Sequence, residues 1–158
     1  MDKAVILARG LGTRMRAEDS STELTSEQSA MAAQGIKALV PIDRPFLDYV
    51  MSGLADAGYR HVCLVIGPEH DLVREYYGSI ERERIQIHFA VQEQPRGTAD
   101  AVSAAEEFSA SDPVLVLNSD NYYPPEALRA LRHLSTPGLA LFDRDSMLSS
   151  GNIDSDRI

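Results

Sequence analysis

Five short apolar runs punctuate the chain, and between them apolar residues recur at helical spacing. The first run, Lys3-Ala4-Val5-Ile6-Leu7-Ala8, reads as a buried strand because it is continuously apolar and bounded by polar residues. His61–Gly67 and Pro113–Asn118 have the same character, and Ile85–Gln92 alternates more clearly. Gly138–Asp143 reads as a fifth strand. Phe46, Leu47, Val50, Met51, Leu54 and Ala55 share one helical face, with Pro45 suited to the first turn and Gly58 to the stop. A second helix is expected from Glu69 to Tyr77, with Leu72, Val73 and Tyr76 inward. A third opens at Gly97-Thr98 and aligns Ala101, Val102, Ala105 and Phe108. A fourth starts at Pro124-Pro125 and runs to Leu134.

Strands alternating with helices imply βαβ crossovers, hence an α/β, Rossmann-like fold with a mainly parallel sheet and helices on both faces. The 158 residues suit a single domain spanning 1–158, able to bury roughly two-thirds of its unfolded surface. Residues 17–35 break the pattern: a polar loop, then a short helix capped by Thr25 or Ser26 and ended by Gly35. This stretch is either a solvated insertion or a lid that closes on substrate.

Net charge is −9, which disfavours non-specific binding to nucleic acid or to anionic membranes. The apolar runs fall far short of a membrane span. Cys63 is the only cysteine and lies inside an apolar run, so a buried thiol in a reducing compartment is expected. A cytoplasmic protein follows as the expectation. Oligomeric state is not legible. Positive charge for any anionic ligand is sparse: Arg9, Arg14, Arg16 and Lys37, with Lys3 the only other lysine.

Candidate chemistry sits where strands end, because ligands of open parallel sheets bind at the carboxyl edge. After the first strand comes Arg9-Gly10-Leu11-Gly12-Thr13-Arg14. Its two glycines permit a sharp turn whose exposed N–H groups would cradle phosphate. Arg14 adds a planar, permanently charged fork. The same Gly-x-Gly is also compatible with a plain tight turn, and neither a third fingerprint glycine nor a Walker Gly-Lys-Ser/Thr follows. Gln92 with the turn after it, and Asp120, fall at the same edge.

In order along the chain, these stretches resemble the sugar-1-phosphate nucleotidyltransferase superfamily, which includes thymidylyl-, uridylyl- and guanylyltransferases. Ala4–Met15 is similar to the opening signature, with Arg9 where a small residue is usual. Lys37–Ile42 is similar to the second, with Ile36 in place of a proline. Gln92 with Gly97-Thr98-Ala99-Asp100-Ala101 resembles the base-recognition segment, and Leu117–Asn121 the segment carrying a metal-binding aspartate.

The resemblance implies nucleotide contacts from Ala8, Gly10, Gly12, Thr13, Arg14, Gln92, Gly97 and Thr98. It implies catalytic roles for Arg14 and Lys37, and a Mg²⁺ ligand at Asp120. The implied partners are a nucleoside triphosphate and a phosphorylated acceptor, a sugar 1-phosphate above all. Simpler readings stand beside these: Asp120 capping the turn into Pro124, Lys37 on the surface, Gln92 pairing with a neighbouring strand. The family's sugar pocket and second metal-binding aspartate fall in a region that this chain only enters before Ile158. A truncated, nucleotide-binding portion is therefore expected, with a non-catalytic nucleotide-binding module or a non-sugar acceptor as alternatives.

Overall fold

The computed structural model describes residues 1–10, 43–79 and 83–150. Four strands form one sheet: β1 (Lys3–Leu7), β2 (His61–Ile66), β3 (Gln86–Val91) and β4 (Val114–Asn118). Every pairing is parallel and the order is β3-β2-β1-β4. Register is continuous across the centre, with Val5 opposite Cys63 on one side and Val116 on the other. The chain moves outward from β1 to β3 and then returns to the far side of β1. The order therefore reverses between β1 and β4.

Side-chain alternation along the strands feeds two separate cores, as strand geometry requires. Ala4, Ile6, Val62, Leu64, Ile66, Leu115 and Leu117 face one side. They pack beneath α1 (Phe46–Asp56), α2 (Asp71–Ser79) and α5 (Pro125–Arg132), through Leu47, Val50, Leu54, Val73, Tyr77 and Leu128. Val5, Cys63 and Val65 face the other side. There they meet Ala101 and Ala105, carried by and adjoining the short helices α3 (Thr98–Ser103) and α4 (Glu106–Ser109). Helices on both faces explain why the central strands are apolar throughout rather than alternating.

Several elements differ from the sequence reading. The single helix expected after Gly97 breaks at Ala104-Ala105 into α3 and α4, although Ala101 and Ala105 are buried as the spacing required. In α2 the helix begins later, after a Gly67–His70 turn closed by His70 N–H donating to Gly67 O at 3.1 Å. That rotation buries Tyr77 and turns Leu72 outward.

The fifth strand expected at Gly138–Asp143 is not formed. The segment is irregular, and Leu139 and Leu141 are 86% and 90% exposed. β4 ends the sheet and its outer edge is not paired among the described residues, and Leu139, Ala140 and Phe142 instead border an apolar groove beside β4 and Leu134. The chain then passes into α6 (Arg144–Ser150). The insertion at 17–35 and the Lys37–Ile42 segment lie outside the described residues.

Candidate nucleotide site

The hydrogen-bond ladders run one step past the strands and so fix where the following residues begin. Ala8 N–H donates to Val65 O at 2.9 Å, Gln92 N–H to Ile66 O at 2.9 Å, and Ser119 N–H to Leu7 O at 3.3 Å. Three loops thus leave the carboxyl edge from a common, rigid base.

Between them is an open cavity of about 350 Å³. Arg9 and Gly10 border it from β1, Gln92, Gly97 and Thr98 from the turn after β3, and Asn118 and Asp120 from the end of β4. It sits beside the reversal of strand order between β1 and β4, where open α/β sheets bind ligands. Ala8 is buried in the larger core and does not line the cavity.

Gln92 is buried, and its amide is oriented by two acceptors. Nε2 donates to Asp100 Oδ2 at 2.8 Å and to Gly97 O at 3.2 Å. Both amide hydrogens are therefore committed, and Oε1 is the atom left to accept from a ligand. Gly97 adopts φ +105°, a conformation that L side chains rarely reach. Its carbonyl also accepts from Ala101 N–H at 3.1 Å, which opens α3. Asp100 was not distinguished by the sequence reading beyond its place in the segment. A carboxylate one turn into a helix that follows the glutamine's strand was the available signal.

The loop after β4 is braced by Tyr123, which packs on the larger core and whose hydroxyl accepts from Asn118 N–H at 3.4 Å and Asn121 Nδ2 at 3.3 Å. Asp120 is exposed at the cavity's lip. No cluster of three or more His, Cys, Asp or Glu exists among the described residues. A single exposed carboxylate beside a cavity nevertheless suits Mg²⁺, which takes one or two protein carboxylates and completes its shell with phosphate oxygens and water.

Other groups are excluded by position. Lys3 lies at the opposite end of β1, bonded to Phe108 O at 2.9 Å and paired with Asp112 at 2.7 Å. Cys63 is fully buried, and burial pushes its thiol up to about 11, as expected of an inert core cysteine. His70 is buried beside α2, its Nδ1 accepting from Gly67 N–H at 3.4 Å. Of the residues predicted from sequence, the structure gathers Gly10, Gln92, Gly97, Thr98 and Asp120 around one cavity; Ala8 is not among its lining, because its side chain packs into the larger core. Gly12, Thr13, Arg14 and Lys37 lie outside the described residues.

A parallel α/β sheet with its cavity at the strand-order reversal is the arrangement in which open α/β proteins bind their ligands. The chain belongs to the nucleotidyl transferase family, whose model matches residues 3–140. It is 28% identical over 135 residues to D-glycero-alpha-D-manno-heptose 1-phosphate guanylyltransferase of Aneurinibacillus thermoaerophilus, covering 84% of this chain and 53% of that protein. It is 32% identical over 123 residues to glucose-1-phosphate thymidylyltransferase of Neisseria meningitidis, covering 77% and 38%. The fold is that of UDP-glucose pyrophosphorylase complexed with UDP-glucose, with TM-score 0.65 at 18% identity, covering 83% of this chain and 52% of the other. The chain thus spans 38% to 53% of the length of these relatives.

Proposed function

We propose that this chain carries the nucleotide-binding part of a Mg²⁺-dependent nucleotidyltransferase, which moves a nucleoside monophosphate from a nucleoside triphosphate to a sugar 1-phosphate and releases pyrophosphate. The observation that carries the reading is the convergence of Gly10, Gln92, Gly97 and Asp120 on one cavity at the strand-order reversal. The sugar-phosphate relatives supply the substrate class.

A sugar 1-phosphate is mostly dianionic at neutral pH, since its second pKa is about 6. One of its oxygens bonds to the α-phosphorus while the bond to the β-phosphate oxygen breaks, so no general base is needed. The protein's task is to align two anions and to stabilise charge on the departing pyrophosphate. In this reading Gly10, Gly12 and Thr13 cradle phosphate through their backbone, Arg14 grips the triphosphate, and Lys37 meets the α-phosphate or the acceptor. Gln92 Oε1 accepts from the base, and Gly97 and Thr98 form the wall on which the base lies. Asp120 would hold Mg²⁺, which offsets phosphate charge when bound.

The test is calorimetric titration of the chain with GTP, UTP, dTTP, CTP and ATP, with and without Mg²⁺. At least one triphosphate is expected to bind more tightly with Mg²⁺, and Asp120→Asn to abolish that gain. Binding of none would end the proposal, and a Mg²⁺ gain that persists in Asp120→Asn would remove the metal assignment. No pyrophosphate release on a phosphorylated acceptor is expected from this part alone, and robust release would show that the chain carries the transfer site as well.

A further inference from the structure

The first strand ends in a buried cation. The Arg9 side chain is only 8% exposed and borders the cavity between Gly10 and Gln92. A guanidinium carries five N–H donors. Nη2 donates to Glu93 O at 3.2 Å. Nε stands 3.5 Å from Glu69 Oε1. Nε and Nη1 are both buried without a hydrogen-bond partner. Leaving such donors unmatched destabilises a fold, and an apolar side chain of similar volume would avoid that cost. Arg9 is among the residues that line the cavity, so a ligand there comes beside a guanidinium whose donors the protein does not all match.

Two kinds of acceptor are chemically open: a phosphate oxygen, or a carbonyl or ring nitrogen of a base. The charge balance favours the second. The Glu69 carboxylate already faces the guanidinium, and its pKa is lowered by a backbone hydrogen bond first and by Arg9 among the lesser causes, so it stays ionised and offsets the positive charge. Position favours it too. The carbonyl that anchors Nη2 belongs to Glu93, the residue directly after Gln92. The guanidinium is therefore tied to the segment that bears the oriented amide.

We propose that the Arg9 guanidinium contacts the nucleobase, donating to a neutral acceptor on the base while Gln92 Oε1 accepts from it. This rests on the nucleotide reading of the cavity. Arg9 then helps set which base is bound.

The experiment measures affinities of wild type, Arg9→Met and Arg9→Lys for Mg²⁺ complexes of GTP, UTP, dTTP, CTP and ATP. Arg9→Met keeps volume and loses every donor. Arg9→Lys keeps the charge and a donor for Glu93 O, so it guards against a variant that fails to fold. Both are expected to weaken the preferred triphosphate about tenfold, the scale of one hydrogen bond to a charged group. The others should weaken less, so that the preference among the five narrows. Uniform weakening of all five would assign Arg9 to phosphate or to structure, and unchanged affinities would remove it from the site; either overturns the proposal. If wild type binds none of the five, the nucleotide reading itself fails. If wild type binds and the variants match it, only the Arg9 assignment fails.

Discussion

A methyl group on Gly97 would meet no atom within 4 Å, yet the residue's φ of +105° makes any side chain there strained. Gly97→Ala is therefore expected to cost about 1–3 kcal/mol of stability through backbone conformation rather than crowding. It should also shift the carbonyl that both Gln92 and Ala101 use. Chemical denaturation checks the first effect, and an equal loss in Gly97→Asn would confirm its cause, because with ψ −178° the residue lies in a region that only glycine enters and not in the left-handed helical region that asparagine tolerates. Asp100→Ala frees one hydrogen of the Gln92 amide. Nucleotide affinity is expected to fall about tenfold, the scale of losing an oriented charge-assisted hydrogen bond. Calorimetry showing unchanged affinity would mean that the amide's orientation does not matter. At this scale the sequence was informative where residue type alone names the chemistry, as with Gln92, Gly97 and Asp120. It was silent on Asp100 and on the two unmatched nitrogens of Arg9. The Arg9 contacts join the ends of different strands, which no local pattern encodes, whereas Asp100 meets Gln92 within one segment, eight residues away.

The contact between α1 and α5 ties the β4 side of the molecule to the centre. Leu128 is buried against Gly53, and the Tyr59 hydroxyl donates to Leu128 O at 3.1 Å. Leu128→Ala is expected to cost about 2–5 kcal/mol by emptying that position. Gly53→Ala points the other way. Its methyl would meet Leu128 at 3.7 Å, an ordinary contact, and helix propensity would add up to about 1 kcal/mol. Thermal melts of the two variants should move in opposite directions.

Burial pushes the Tyr59 hydroxyl from 10.0 up to about 12, with Arg132 opposing, and the Cys63 thiol from 9.0 up to about 11. The unfolded chain releases these protons first as pH rises, so stability is full below pH 9 and falls between about pH 9 and 12. Tyr59→Phe should flatten the slope above pH 10, and an unaltered slope there would contradict this origin. Strands and α1 were legible because continuous apolar runs and a clean helical stripe have few alternative homes. The run at Gly138–Asp143 forms no strand although β4 offers an open edge, and apolar composition alone does not tell whether a run will pair.

Across the whole molecule, the polarity of the sheet separates structure from chemistry. The amino ends of the strands carry the Lys3–Asp112 pair, and the carboxyl ends carry the cavity. With an overall charge of −9, the proposed binding of a nucleotide would place the demand for positive charge on a few basic groups and on Mg²⁺. No helix among the described residues is long and apolar enough to cross a membrane. The fold class and the edge of the sheet that bears the site followed from the β-α alternation, since a parallel sheet leaves only one edge where such loops gather. Base choice did not follow, because it depends on how donors and acceptors from three loops are combined in space.

The most direct test maps where a nucleotide sits. The isotopically labelled chain would be titrated with Mg²⁺ and the tightest-binding triphosphate, and backbone amide shifts followed by NMR. The account predicts the largest changes at Gly10, Gln92, Gly97, Thr98 and Ser119–Asp120, with Lys3, His61 and Asp112 at the other end of the sheet unmoved. Changes centred on that opposite end, or in the groove near Leu134 and Leu139, would contradict it.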